Sequence, residues 1–73
     1  MSGTLPSLSP KEVTSALERM GFTCCRQKGS HKIYVKDNYQ VIVPFHTKDL
    51  KKGTLHQIIK GTGSSVEEFL KNL

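Results

Sequence analysis

The 73-residue chain has no tryptophan and only five aromatic residues, two Tyr and three Phe. A few large side chains must therefore anchor its core. It has no apolar run approaching the ~20 residues that a membrane-spanning helix needs. Acidic residues are scarce, six Asp and Glu against eleven Lys and Arg, which leaves a net charge of +5 with His neutral. So dense a positive field on so small a domain suggests a polyanionic partner: nucleic acid, an acidic protein or, less often, an anionic membrane. A merely soluble basic protein is the competing explanation. Cysteine is scarce too. Cys24 and Cys25 are the only two and are adjacent, and strand neighbours point to opposite faces, which denies them ordinary disulfide geometry. A small secreted domain would carry several spaced pairs, so the expected location is cytoplasmic. Met1 to Leu8 lack the basic and apolar regions of a signal peptide.

Several chemistries are excluded on the same grounds. There is no P-loop, no dinucleotide fingerprint and no Cys–His–Asn protease signature. Cys24, Cys25, His31, His46 and His56 do not form a paired spacing such as C-x-x-C with H-x-x-x-H, so neither a metal nor another cofactor is expected. The two cysteines read as one buried and one partly exposed strand residue. The length allows one domain, burying roughly 60% of its unfolded surface.

The reading along the chain is a leader over 1–8, with Leu5 and Leu8 available to dock, then one domain over 9–73. Ser9 caps a first helix, Pro10 suits its first position, and Glu12 completes a capping box. Val13, Ala16, Leu17 and Met20 form its apolar stripe, and Gly21 its left-handed exit. Phe22–Lys28, His31–Lys36 and Tyr39–Val43 read as strands, joined by turns at Gly29-Ser30 and Asp37-Asn38; Pro44 stops the third. Connections this short require an antiparallel meander. Thr54, with Gln57, is the expected cap of a second helix whose apolar face is Leu55, Ile58 and Ile59 and which Gly61 ends. Ser64 or Ser65 starts a short last helix with Val66, Phe69, Leu70 and Leu73 apolar. The expected fold is α+β: an α-β-β-β-α two-layer arrangement like that of double-stranded-RNA-binding domains, with a short C-terminal helix. From layout to RNA is analogy.

Chemistry concentrates in Arg26-Gln27-Lys28-Gly29-Ser30-His31-Lys32. Gly29 lets the backbone approach a phosphate, Ser30 offers a hydroxyl, and Arg26, Lys28 and Lys32 supply charge. Histidine is the side chain that titrates near neutral pH without tuning, so His31 is the candidate general acid–base for RNA cleavage. It would take a proton from a 2′-hydroxyl that attacks the adjacent phosphorus, while the cations stabilise the phosphorane. A solvated surface hairpin is the bland alternative. The end of the third strand pairs with the start of the second, which brings His46 toward His31 as a second acid–base or an orienting residue. Lys48, Lys51 and Lys52 precede a helix N-terminus and are further phosphate-binding candidates. His56 reads as surface.

These motifs resemble the HicA toxins of bacterial type II toxin–antitoxin pairs. The resemblance is carried by Leu5-Pro6, Lys11-Glu12-Val13, Leu17, Gly21-Phe22, Arg26 to His31, Tyr34, Val43-Pro44 with His46, Leu50 to Leu55, Ile58 and Val66 to Phe69. It implies a double-stranded-RNA-binding-like fold, an mRNA endonuclease that halts translation in a stress response, His31 as the catalytic histidine, and neutralisation by a HicB antitoxin. Members of the family it resembles often carry a second histidine or another residue after Gly-Ser-His; here Lys32 stands there. A non-catalytic RNA-binding module, or a degenerate toxin retained as an interaction partner, are the other readings. No helix-turn-helix pattern is present, so no sequence-specific DNA binding is expected.

Overall fold

Ser9 and Glu12 exchange the two bonds of a capping box. The Glu12 N–H donates to the Ser9 hydroxyl at 3.2 Å, and the Ser9 N–H donates to the Glu12 carboxylate at 2.9 Å. They open α1 (Pro10–Arg19) in the computed structural model, which describes residues 7–46 and 48–73. The helix leaves through Gly21, at φ +100°. Gly21 N–H bonds the Glu18 carbonyl at 3.1 Å, and Phe22 N–H reaches the Leu17 carbonyl at 2.9 Å. That bond pair is a Schellman exit, and buried Phe22 and Leu17 supply its apolar contact. Phe22 is thereby committed to the helix exit and the core.

The sheet follows as β1 (Thr23–Lys28), β2 (His31–Lys36) and β3 (Tyr39–Pro44), antiparallel in the order β1-β2-β3. Both hairpins have two-residue loops, Gly29-Ser30 and Asp37-Asn38, with positive φ at the first residue only, the pattern of a II′ turn. Pro44 fits the end of β3 because it falls between rungs. The Phe45 N–H donates to the Ser30 carbonyl beyond it, so the missing Pro44 N–H would have faced the outer edge.

β1 carries a bulge between Cys24 and Arg26, with Cys25 the extra residue. Every residue of β1 is exposed, including both cysteines. This corrects the expectation that one cysteine is buried. The main helices pack chiefly on β3, and β1 is the edge strand they leave uncovered.

The second helix, α2 (Lys52–Gly61), starts before Thr54. Lys51 is its N-cap, accepting the Leu55 N–H at 2.9 Å, and no Thr54–Gln57 capping box forms. Gly61 is its last residue, as expected, although the left-handed exit lies farther on. Thr62 is the C-cap and Gly63, at φ +76°, makes the left-handed exit. Gly61 also serves packing: a Cβ there would lie 2.7 Å from Val41 Cγ1, so its absence lets α2 lie directly on β3. Ser65 caps α3 (Val66–Leu70), which drives Phe69 fully into the core, whereas Leu73 stays exposed.

The core joins Leu8, Val13, Leu17, Phe22, Tyr34, Val41, Val43, Leu50, Leu55, Ile58, Ile59 and Phe69 between the helices and one sheet face. Leu8 is seated by its carbonyl, which accepts the Leu50 N–H at 2.8 Å; Leu5 lies outside the described residues. The layout is the helix, three-stranded meander and helix of a double-stranded-RNA-binding-like α+β fold, with α3 appended. It leaves the second sheet face open.

Candidate nucleic-acid interface

Strand register decides which candidate residues meet. Direct cross-strand partners share a face. His31 pairs with Lys28 on β1 and Pro44 on β3; the next pairs on that side are Arg26 with Ile33 and Ile33 with Ile42. Ile42 is 49% exposed, so this is the face no helix covers. The open side of the sheet thus presents Arg26, Lys28 and His31 together beside the first turn, and all three are exposed.

Lys32 is placed otherwise. Its partners are Gln27 and the fully buried Val43, which put it on the helix-covered side. There its ammonium lies 4.0 Å from the centroid of the Phe45 ring. The sequence neighbour of His31 therefore points away from it.

The turn between them is open. Gly29 adopts φ +60°, and a Cβ built on it would meet nothing within 4 Å. Its need for glycine is conformational, and the space around it is free for a ligand. Gln27 Nε2 donates to the Gly29 carbonyl at 3.2 Å and holds the turn in shape. Sequence reasoning quoted Gln27 within the motif without giving it a role.

The remaining candidates gather in a second place. An open depression of about 550 Å³ is lined by Pro44, His46, Lys48, Asp49, Leu50, Lys51 and Thr54. Pro44 is also the cross-strand partner of His31, so the depression adjoins the His31 face along β3. Lys51, the N-cap of α2, makes no side-chain capping bond, and the first turn of α2 contains no acidic residue. Helix N-terminal amides and lysines together favour an anion. Asp49 sits among these lysines and offsets part of their charge. Lys52 is exposed at the helix start but does not line the depression. His56 is exposed on α2, away from both groups.

A displaced pKa is found in the core. Burial pushes the Tyr34 hydroxyl above the ordinary tyrosine value, opposed by a hydrogen bond with Thr14. It reports packing, since Tyr34 shares the helix-covered face with Val41. Among the described residues, no three His, Cys, Asp or Glu side chains gather where they could hold a metal ion. Nor is any described helix long and apolar enough to cross a membrane.

A fold of this kind, with a basic face on its open side, defines a small α+β protein suited to a polyanion. Comparison with known families makes the class specific: a family model described as HicA toxin of bacterial toxin–antitoxin matches residues 10–63, well over half of the chain. The chain belongs to the HicA toxin family, and is thus of the toxin kind in a toxin–antitoxin pair. The match runs from the first residue of α1 to Gly63 and stops before α3. No curated protein matches the chain.

Proposed function

We propose that the protein is an endoribonuclease that cleaves mRNA without a metal ion, in the cytoplasm, and is held in check by a HicB-like antitoxin. The observation that carries this reading is the open-face row: His31 with Lys28 directly across from it and Arg26 diagonal to it. The His31 imidazole takes the proton of a 2′-hydroxyl. The freed oxygen attacks the adjacent phosphorus, and Arg26 and Lys28 stabilise the charge that builds on the phosphorane. The 5′-oxygen leaves with a proton, His46 being the candidate donor or orienting group, and a 2′,3′-cyclic phosphate remains. The open backbone at Gly29 and Ser30 admits the strand closely, and Lys48, Lys51 and Lys52 bind phosphates farther along it.

The test is side-by-side expression of wild type and His31→Ala, with mapping of mRNA ends. Removing a positioned acid–base group should cost ~10²–10⁴-fold in rate and leave the fold intact. Cleavage should persist in excess EDTA. Equal cleavage by folded His31→Ala sinks the assignment, and strict Mg²⁺ dependence with 3′-hydroxyl ends replaces the mechanism by a metal-assisted one. Folded protein that binds RNA and never cuts it is instead a binding module.

An acidic antitoxin surface would compete with RNA for the same cations and associate rapidly by electrostatic steering. It is expected to cover the His31 end of the sheet and the Lys48–Lys52 stretch, with DNA binding left to the antitoxin. In the reconstituted complex, His31 should lose its reactivity toward a histidine-modifying reagent. Undiminished reactivity in an inhibited complex requires an allosteric mechanism instead.

A further inference from the structure

Behind His31, on the helix-covered side, the turn that leads into it is gripped by the Gln27 side chain and the Phe45 backbone amide, and Lys32 sits over the Phe45 ring. Gln27 and Lys32 are cross-strand partners there, and Phe45 lies just past the end of β3. Gln27 Nε2 donates to the Gly29 carbonyl at 3.2 Å, and the Phe45 N–H donates to the Ser30 carbonyl. Both carbonyls of the turn leading into His31 are therefore engaged. The Phe45 ring is in turn capped by the Lys32 ammonium, 4.0 Å from its centroid. A cation over an aromatic face is held by the ring quadrupole.

Lys32 differs from the other candidate phosphate ligands in two ways. Arg26, Lys28, Lys48, Lys51 and Lys52 are exposed, whereas Lys32 is half-buried. Its charge sits on a ring, on the side of the sheet opposite His31. His31 is the first residue of β2: beyond its pairing with Lys28 and Pro44 the ladder stops, and the backbone leading into it is held by what grips the turn. A reacting group misplaced by about 1 Å can cost 10²-fold in rate.

We propose that Lys32 and Phe45, together with Gln27, are positioning residues that brace the Gly29-Ser30 turn from behind and hold His31 in place for reaction. Lys32 acts through the Phe45 ring and not on a phosphate. This rests on the ribonuclease reading, and the experiment separates the two.

Phe45→Leu, Phe45→Tyr, Lys32→Gln and Lys32→Arg are compared in the full chain for kcat, KM, the salt dependence of RNA binding and hydrogen exchange at the Phe45 amide. Phe45→Leu and Lys32→Gln should each lower kcat by about ten- to a hundred-fold. KM and the salt slope should stay put, and the Phe45 amide should exchange faster. Phe45→Tyr and Lys32→Arg, which keep the ring and the cation, should restore wild-type values. The double variant Phe45→Leu/Lys32→Gln should be little worse than Phe45→Leu alone. If Lys32→Gln instead flattens the salt slope by about one while leaving kcat and the Phe45 amide unchanged, Lys32 is a phosphate ligand and the brace is wrong. If wild type does not cleave RNA, the ribonuclease reading fails by itself. Amide exchange then decides the brace: faster exchange at Phe45 in Lys32→Gln supports it, and unchanged exchange overturns it.

Discussion

The Gly29-Ser30 and Asp37-Asn38 turns have the same length, and each begins with a positive φ, +60° at Gly29 and +52° at Asp37. Their surroundings differ. At the Asp37 end, Lys36 Nζ donates to the Met20 carbonyl at 2.7 Å, and Tyr39 lies against Gly63 at the exit of α2. The ends of both main helices thus converge on that end of the sheet. At the Gly29 end nothing approaches the turn tip within 4 Å of a would-be Cβ, and the grip comes from the sheet and its own side chains. One end of the meander is spent on holding the fold together. The other is left open, and it carries Arg26, Lys28 and His31.

Substitutions at the two ends should therefore fail differently. The largest effect is expected for Gly63→Ala, which combines φ +76° with a Cβ 2.5–2.9 Å from the Tyr39 ring. The left-handed φ costs about 1–2 kcal/mol and displacing the half-exposed Tyr39 ring adds to it, read as a lower midpoint of denaturant unfolding, with cleavage per folded molecule unchanged. Gly29→Ala meets no atom and should lose only the conformational part, about 1–2 kcal/mol for an L-residue held left-handed. Equal losses with equal sparing of cleavage would erase the distinction between the ends.

Charge offers the next comparison. Lys28→Ala should weaken RNA binding for all sequences and reduce the salt slope by about one, as expected for a phosphate contact. Lys36→Ala should leave that slope alone and lower stability, because its ammonium serves the α1 carboxyl end. A Lys36→Ala protein with the flatter slope would extend the RNA surface to both ends.

The smallest effect is a pH dependence of the shared core. Tyr34 has a folded pKa above its ordinary 10.0, raised mainly by burial. Its contribution to stability is therefore complete below pH 10.0 and is lost as pH rises through the raised folded value. Tyr34→Phe should flatten the alkaline arm of a stability–pH curve; an unchanged arm would assign that loss to other groups.

Local signals were readable where the chain alone determines the outcome. The Ser9–Glu12 box, the Gly21 exit and both two-residue hairpins need only neighbouring residues, and each is where the pattern puts it. The errors come from packing. Thr54 and Gln57 have the spacing of a capping box, yet α2 begins at Lys52, and its buried face is anchored at Leu55, Ile58 and Ile59. Gly61 reads as a helix stop; the approach of Val41 shows that it also serves contact, and the left-handed exit falls two residues on, at Gly63. The exposure of both cysteines depends on which strand the helices choose to cover. Of the site, the meander puts Lys28 beside His31, and strand alternation turns Lys32 away. That Lys32 finds the Phe45 ring, and that His46 shares a depression with Lys48 and Lys51, depends on how the chain bends after Pro44.

The bulge at Cys25 bears on what can pair with the outer edge of β1. β1 is a fully exposed outer strand, and an uninterrupted one would offer a row of backbone groups to any other extended chain. The extra residue breaks that row partway along, and Arg26 and Lys28 add like-charge repulsion between two such edges. Edge-to-edge pairing of two copies through β1 is therefore opposed twice, by the interrupted ladder and by the repelling charges.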